Sequence, residues 1–258
     1  DDLKARYGSQ FKGLGQVGEP YKIHLKPDAK PVVQIPHKIP FVLKDRVKAS
    51  LAKLEKDDIL ASVDIPTPWV NNLVITEKKN GNLRYCLDPK PLNDGIMRDH
   101  FIMPTPEDVH AKLSGKKKFT VIDMSDAYWH VELDEESSYL TTFHTPWGRK
   151  RFKRMPFGLN CASEVLQKRL EDAFGDIEGA YAINDDLIIA GVDDDEHDKV
   201  LCAVMDRARE RNVRFNMNKI QFKVPSVKYM GHIISEEGLS PDPEKVEAIM
   251  NMPVPHDK

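Results

Sequence analysis

Residues 181–190 read Tyr-Ala-Ile-Asn-Asp-Asp-Leu-Ile-Ile-Ala, so that the adjacent carboxylates Asp185 and Asp186 lie between short apolar runs. Short apolar runs separated by polar turn residues are typical of a β-hairpin. The pattern therefore predicts a strand, a tight turn that carries both acids, and a returning strand.

A third carboxylate, Asp123, ends an earlier apolar run at residues 119–122. A neighbouring strand that ends here would bring Asp123 beside the pair. Three like charges in one small space repel one another unless a cation neutralises them, and carboxylate oxygens suit Mg²⁺ or Mn²⁺. We therefore predict a metal site at Asp123, Asp185 and Asp186; two ions roughly 3.5–4 Å apart are the usual arrangement for phosphoryl transfer. An aspartate pair taken alone more often caps a turn or a helix start than binds a metal.

The composition is that of an ordinary globular protein, with 258 residues, 40% hydrophobic and 31% charged. No apolar run approaches the ~20 residues needed to cross a bilayer, and the first residues lack the form of a signal peptide, so the sequence predicts an intracellular protein. The cysteines Cys86, Cys161 and Cys202 have no C-x-x-C spacing, which argues against a disulfide framework and against a thiolate zinc site.

The net charge of −3 conceals a strong segregation of charge along the chain. Residues 149–154 hold five cations in six positions and residues 116–118 are all lysine, whereas residues 193–198 are mostly acidic. Basic runs of this kind can follow a phosphate backbone or form a solvated hairpin face. The acidic run lacks the ligand spacing and glycine of an EF-hand loop, so it is a poor calcium-site candidate.

The order of predicted elements indicates an α+β fold, with helices on one face of a mostly antiparallel sheet and the three carboxylates on the other. The first forty residues are rich in proline and predict an extended arm. Helices are predicted around Val47, Leu51 and Leu54, after the N-cap Thr105, over 161–174 and over 195–211. Strands are predicted at 71–76 with 83–87, at 139–144 with 150–155, at 219–224 and at 228–234.

Several segments, in this order, resemble the fingers and palm of the reverse transcriptases of Ty3/gypsy-type long-terminal-repeat retrotransposons. These are residues 123–128 (Asp-Met-Ser-Asp-Ala-Tyr), 155–162 (Met-Pro-Phe-Gly-Leu-Asn-Cys-Ala) with Gln167, 184–186 (Asn-Asp-Asp) and 229–232 (Tyr-Met-Gly-His). The similarity runs from about residue 11 to residue 246. It implies a right-hand polymerase fold with an antiparallel palm sheet backed by helices.

The resemblance also implies a division of the chain into parts. Residues 1–40 would be an extended N-terminal arm, and residues 41–117 with the hairpin 139–156 would be the fingers. Residues 118–138 and 157–235 would be the palm, and residues 236–258 the start of a truncated thumb. The implied activity is that of an RNA-directed and DNA-directed DNA polymerase, a nucleotidyltransferase that uses Mg²⁺, with Mn²⁺ as a substitute.

The resemblance assigns a role to individual residues. Asp123, Asp185 and Asp186 would hold the metal ions. The nucleotide would contact the residues Lys78, Lys79, Arg84, Tyr128, Phe157, Gly158 and Gln167, with Lys78 or Lys79 on the triphosphate and Tyr128 under the sugar. Gly158 would allow the backbone to approach a base or phosphate closely. The primer would contact Tyr229, Met230, Gly231 and His232.

Two positions depart from the family pattern. Ile183 stands two positions before Asp185, where the family has tyrosine, and Pro89 replaces a more usual aromatic residue. The alternative function is therefore a catalytically weak or domesticated palm that only binds nucleic acid. Another two-metal polymerase, such as an RNA-dependent RNA polymerase, is disfavoured by the bulky Tyr128 at the position of the sugar. Expected partners are a primed RNA or DNA template, deoxynucleotides, and the thumb, RNase H and integrase of a parent polyprotein, in cytoplasmic virus-like particles.

Overall fold

The computed structural model describes residues 2–78, 81–229 and 232–252 of the chain. It is a mixture of α-helices and antiparallel sheets, as the sequence predicts. The helices are α1 (Asp2–Tyr7), α2 (Lys44–Lys56), α3 (Lys90–Gly95), α4 (Pro106–Leu113), α5 (Glu135–Leu140), α6 (Ala162–Phe174), α7 (Asp194–Glu210) and α8 (Pro243–Met250). The strands are β1 (Leu60–Val63), β2 (Asn72–Glu77), β3 (Leu83–Asp88), β4 (Lys118–Asp123), β5 (Phe143–Thr145), β6 (Gly148–Phe152), β7 (Ala180–Ile183), β8 (Asp186–Gly191), β9 (Gln221–Val224), β10 (Ser226–Tyr229), β11 (His232–Ser235) and β12 (Gly238–Pro241).

The central sheet has the order β7-β8-β4-β9 and is antiparallel throughout. Side chains alternate along β8, so Leu187 and Ile189 join the main core with α6 and α7. Ile188 and Ala190 join a second apolar cluster with α4, β10 and β11. Helices α6 and α7 back one face of the sheet, as predicted. Asp123 and Asp186 lie two positions from Val121 and Ile188 of the second cluster, so the alternation sets both carboxylates on the face opposite α6 and α7, at the strand ends. That face also carries a helix, because α4 packs against it.

The other sheets lie on different sides of the molecule. β1, β6 and β5 form one three-stranded sheet, in which β1 contacts α2 and β5 contacts β2. β10, β11 and β12 form another, which packs against β4 of the central sheet. α2 buries Val47, Leu51 and Leu54, which confirms the predicted helix. α4 also begins as predicted, because the Thr105 hydroxyl accepts a hydrogen bond from the Asp108 amide in a capping box.

Two predicted strands have different bounds in the structure. Residues 139 and 140 end α5, whose N-cap Asp134 accepts a hydrogen bond from the Ser137 amide at 2.8 Å, so β5 begins only at Phe143. The single strand predicted over 228–234 is the hairpin β10–β11. The hairpin lets Val227 pair with Ile234 in one buried cluster, whereas a continuous strand would separate them by about 23 Å.

The N-terminal arm is extended only in part. Residues 2–11 are helical, and the ring of Tyr7 is 1% exposed in the main core, so the predicted extended conformation is wrong for this segment. Beyond it the chain is held by backbone hydrogen bonds, from the Val17 amide to the His130 carbonyl at 2.8 Å and from the Val70 amide to the Val32 carbonyl at 3.1 Å. The arm therefore joins the region beside the central sheet to the β2 hairpin.

Two expectations from composition concern thiols and membranes. Cys86, Cys161 and Cys202 are free thiols. Burial raises the pKa of Cys161 to about 11, which makes it a poor nucleophile. In the ranges that the structure describes, every helix is too short or too polar to cross a bilayer.

Candidate active site

The three carboxylates that the sequence singles out lie together at one end of the central sheet. β4 and β8 pair in a register that sets Asp123 opposite Asp186, and Asp185 occupies the turn just before β8. The Met124 amide donates a hydrogen bond to the Asp185 carbonyl at 2.7 Å, which ties this turn to the end of β4. The register thus brings together side chains that are far apart in the sequence.

The buried side-chain amide of Gln167 stabilises the turn that carries Asp185. Asn184 has φ of +55°, a left-handed conformation that asparagine tolerates better than most residues. Gln167, which is fully buried in α6, accepts a hydrogen bond from the Asn184 amide at 2.9 Å and donates one to the Ala182 carbonyl at 2.7 Å. Gln167 therefore braces the turn and, in this conformation, contacts the protein backbone.

The clustered carboxylates oppose one another's ionisation. Burial, followed by the charges of Asp185 and Asp123, raises the pKa of Asp186 to about 6. Burial also raises the pKa of Asp123, although the ammonium of Lys219 lowers it in part. The Lys219 Nζ lies 2.8 Å from Asp123 Oδ2. The cluster therefore carries excess negative charge that a cation would relieve.

The donor set suits a hard divalent ion by its chemistry, since it consists of carboxylates whose shared charge is costly. Among the described residues, no three His, Cys, Asp or Glu side chains converge closely enough to hold an ion as they stand. Lys219 occupies one oxygen of Asp123. Binding of a metal would therefore require rearrangement of side chains.

Asp123 and Asp185 border a cleft of about 1010 Å³. Both the β2–β3 hairpin and the segment after β4 contribute to its walls. The lining residues are Thr76, Glu77, Lys78, Arg84, Asp123, Met124, Ser125, Asp126, Ala127, Tyr128, Phe157, Ser163, Leu166, Asn184, Asp185, Asn216 and Lys219. The cleft is large enough for a nucleotide-sized ligand.

Tyr128 forms an ordered part of the cleft wall. Its ring meets the edge of Phe157 with centroids 4.9 Å apart, and its hydroxyl is 2.7 Å from the Ser163 hydroxyl. Contacts on two sides fix the position of the ring. A fixed aromatic ring can exclude a ligand group by bulk.

Cations from the β2–β3 hairpin face the same space. The Arg84 guanidinium lies 5.3 Å from the centre of the Phe157 ring. Lys78 Nζ lies 3.8 Å from Asp126 Oδ1 across the cleft. Lys79, the other lysine predicted to contact a nucleotide, lies outside the described residues.

Gly158 serves a contact within the protein in this structure. It has φ of +108°, and a Cβ at this position would lie 1.9 Å from the Leu87 carbonyl oxygen. The Leu87 amide also donates to the Phe157 carbonyl at 2.8 Å. The β3 backbone therefore leaves Gly158 no room for a side chain. The expected close approach to a base or phosphate stays a prediction.

Tyr229, the first residue of the predicted primer-contacting segment, lies close to the carboxylates. Tyr229 is 3% exposed and packs in one cluster with Ile183. Burial, then the charges of Asp186 and Asp185, raises the pKa of its hydroxyl. His232 begins β11, whereas Met230 and Gly231 lie outside the described residues.

The basic run at residues 149–154 is largely engaged with its own chain. Arg149 donates to the Ile65 carbonyl at 2.8 Å, Lys150 lies 2.5 Å from Glu55, and the Arg151 guanidinium stacks 4.1 Å from the centre of the Tyr139 ring. These contacts favour a structural role for the run. Its other candidate role, on a phosphate backbone, stays a prediction.

Sequence reasoning missed several residues that line the cleft. Lys219 and Asn216 follow α7, Ser163 lies at the start of α6, and Asp126 has φ of +47°. The segment around Lys219 shows no periodicity or motif that would mark it. Asp126 belongs to the motif at residues 123–128, and its position three residues after Asp123 is the signal that the sequence offers.

Comparisons with known proteins agree on one family. Residues 76–234 match the family described as reverse transcriptase (RNA-dependent DNA polymerase). The chain is 32% identical over 247 residues to the retrovirus-related Pol polyprotein from transposon 412 of Drosophila melanogaster, covering 92% of this chain and 20% of that protein. It is 30% identical over 236 residues to the corresponding polyprotein from transposon gypsy of the same organism, covering 88% and 23%. The chain thus spans about a fifth of the length of these relatives.

Solved structures show the same fold. The foamy viral protease-reverse transcriptase dRH in complex with double-stranded DNA superposes with a TM-score of 0.89 at 19% identity, covering 98% of this chain and 45% of that chain. The same viral protein in complex with an RNA/DNA hybrid superposes with a TM-score of 0.87 at 19% identity, covering 98% and 35%.

Proposed function

Because this chain belongs to the reverse transcriptase family, we propose that it is the polymerase core of a retrotransposon polyprotein. It would catalyse RNA-directed and DNA-directed DNA synthesis, adding deoxynucleotides to a primer 3′-hydroxyl. One observation carries the proposal: the register of β4 and β8 sets Asp123 opposite Asp186, with Asp185 in the adjoining turn. These carboxylates lie at the end of a sheet, beside a cleft whose far wall carries Lys78 and Arg84.

The parts of the chain follow from this proposal. Residues 41–117 with the hairpin 139–156 would form the fingers, and residues 118–138 and 157–235 the palm. Residues 1–40 would be the arm that joins them, and residues 236–258 the start of the thumb. The hydrogen bonds of Val17 and Val70 to partners on either side support the joining role of the arm.

Asp123, Asp185 and Asp186 would hold Mg²⁺, or Mn²⁺ as a substitute. When bound, the ions supply charge that activates the primer hydroxyl and stabilises the leaving pyrophosphate. The protein's own contribution is to hold the carboxylates in place. The Met124–Asp185 hydrogen bond and the Gln167 contacts fix the turn before any ligand arrives.

The nucleotide would lie between the hairpin cations and Tyr128. Arg84 offers a planar fork that matches phosphate oxygens, and Lys78 would exchange Asp126 for the triphosphate. Tyr128, held by Phe157 and Ser163, would exclude a 2′-hydroxyl by bulk. The site would therefore favour deoxynucleotides over ribonucleotides.

The partners follow from the same assignment. A primed RNA or DNA template would enter the cleft, with Tyr229 and the residues up to His232 near the primer end. The remaining parts of a parent polyprotein would be linked partners, and virus-like particles in the cytoplasm the expected setting.

A second candidate function is a nucleic-acid-binding palm with little catalytic power. Ile183 favours it, because this residue is 2% exposed in an apolar cluster and offers no hydroxyl where the family has tyrosine. The metal ligands are unaffected by that substitution. The two candidates differ in whether the protein extends a primer.

Primer extension tests the proposal. A labelled DNA primer on an RNA template, with deoxynucleotides and Mg²⁺ or Mn²⁺, should be extended by the wild-type protein. Asp185→Asn removes a metal ligand without changing volume, and we expect at least a hundredfold loss of rate, or about 2.7 kcal/mol of transition-state stabilisation.

The matched control is Asp195→Asn, the same chemical change in the first turn of α7. It should extend primers at the wild-type rate. Extension by Asp185→Asn at that rate would contradict the metal assignment. Primer-template binding without extension by the wild type would favour the binding module.

A further inference from the structure

Lys219 makes a direct contact with the predicted metal site. Its Nζ lies 2.8 Å from Asp123 Oδ2, and it lines the same cleft as Asp185. The segment that carries it is anchored to the site, because the Asn216 amide donates to the Asp123 carbonyl at 2.8 Å. Lys219 then ends a short 3-10 turn that the Asn216 side chain caps. The contact is thus built by the backbone of both segments.

The two partners of this ion pair differ in exposure. The Asp123 side chain is 13% exposed, whereas that of Lys219 is 60% exposed. Asp123 therefore lies in a largely buried position, whereas the long, flexible side chain of Lys219 reaches it from solvent. Such a lysine can withdraw at little cost, because its head group regains water.

The groups that face Lys219 are mainly acidic. The charges of Asp123, Asp185 and Asp186 all act on its ammonium and favour its charged form. Lys219 in turn offsets the repulsion at both Asp123 and Asp186. The ammonium thus supplies positive charge to the same carboxylates that would bind a divalent ion.

A divalent ion and the ammonium compete for the same oxygen. Mg²⁺ binds carboxylate oxygen at about 2.0–2.1 Å, and a lysine hydrogen-bonded to that oxygen occupies its lone pair and repels the ion. Metal binding and withdrawal of Lys219 are then one coupled event.

We propose that Lys219 is an internal counter-ion of the metal site, which neutralises Asp123 before a hard divalent cation binds and lowers the affinity for that cation by competing with it. The inference rests on the proposed function, since it takes Asp123 as a metal ligand. It adds a determinant of metal affinity at a residue outside the ligand set.

Direct metal binding tests the inference without nucleic acid or catalysis. Mn²⁺ titration, followed by the electron paramagnetic resonance signal of the free ion, should show tighter binding by Lys219→Met than by the wild type. The free energy of an exposed ion pair corresponds to a change in dissociation constant of up to about fivefold. We expect the dissociation constant for Mn²⁺ to fall by roughly that factor. Lys219→Arg keeps the charge and should bind no more tightly than the wild type.

Lys22→Met is the matched control, because it removes one lysine from an exposed ion pair with Glu136 on the surface. It should bind Mn²⁺ as the wild type does, and equal tightening in both variants would reduce the effect to net charge and overturn the inference. Equal or weaker binding by Lys219→Met alone would also overturn it.

Asp185→Asn separates failure of the inference from failure of the proposed function. If the wild type binds Mn²⁺ and Asp185→Asn does not, the metal site stands, and an unchanged affinity in Lys219→Met refutes only the competition. If Mn²⁺ binding is insensitive to Asp185→Asn, the metal site itself is wrong and the inference falls with it.

Thermal unfolding gives a second readout. In chelator, Lys219→Met should unfold at a lower temperature than the wild type, because its carboxylates have lost their counter-ion. Saturating Mn²⁺ should raise its unfolding temperature more than that of the wild type. An equal rise in both proteins would indicate that Lys219 is merely structural.

Discussion

Replacement of Gln167 by methionine should loosen the turn that carries Asp185. Methionine has nearly the same volume, so the change removes the amide without leaving a large cavity. The lost contacts are the hydrogen bond from the Gln167 amide to the Ala182 carbonyl and the one from the Asn184 amide to the Gln167 oxygen. Both lie under the left-handed residue of the turn.

The expected loss of stability follows from these contacts. Two hydrogen bonds contribute about 1 kcal/mol each, and backbone groups left facing an apolar side chain cost about 1–2 kcal/mol more. The free energy of unfolding should therefore fall by about 3–4 kcal/mol. Groups that orient metal ligands typically change activity by about 10–100-fold, and we expect a loss in kcat of that order with little change in KM.

Urea unfolding measures the first quantity and single-nucleotide incorporation the second. Gln16→Met, in the N-terminal arm, makes the same chemical change away from the turn and should leave incorporation unchanged. If Gln167→Met unfolds within about 0.5 kcal/mol of the wild type and incorporates nucleotide normally, the turn does not depend on this amide.

Three further changes have definite expected outcomes. Gly158→Ala should lower the free energy of unfolding, measured in urea, by about 3 kcal/mol or more. The new Cβ would lie 1.9 Å from the Leu87 carbonyl oxygen, and φ at this position is +108°. A loss below about 1 kcal/mol would mean that β3 shifts to accommodate the Cβ. In chelator, the native state holds a proton on Asp186 up to a pKa of about 6, above the ordinary 3.8, so the wild type loses stability as pH rises through this window. Asp186→Asn should match the wild type near pH 4 and exceed it by about 1–2 kcal/mol at pH 7 after solvent screening, and a difference that does not vary with pH would contradict the pKa. Tyr128→Ala should reduce discrimination against ribonucleotides by about tenfold or more in competitive incorporation, whereas unchanged discrimination would remove Tyr128 from the sugar site.

Local patterns in the sequence predicted the elements that local physics determines. The spacing of Val47, Leu51 and Leu54 predicted α2, and the Thr105 cap predicted the start of α4. The apolar runs around Asp185 predicted the β7–β8 hairpin. In each case, the residues that determine the type of element lie within it. Periodicity and capping are therefore sufficient to predict it.

Features that depend on distant partners could not be predicted in this way. Lys219 and Asp123 are 96 positions apart, and only the folded register makes them neighbours. Gly158 looked suited to a ligand because the constraint on it, the Leu87 carbonyl, lies on another strand. Residues 139–140 have strand-forming side chains, but the cap at Asp134 directs them into a helix.

The contacts of Tyr7 and Gln10 delay part of the folding until late in synthesis. The Tyr7 hydroxyl donates to Asp206, 199 positions later, and the Phe215 amide donates to the Gln10 carbonyl. At about 5–20 residues per second, a ribosome needs roughly 10–40 s to make the partners that these early residues require. Until then Tyr7 has no core to enter, and the nascent chain exposes an aromatic segment that a chaperone could bind. Truncation that removes α7 and Phe215 would therefore leave Tyr7 and Gln10 without these partners.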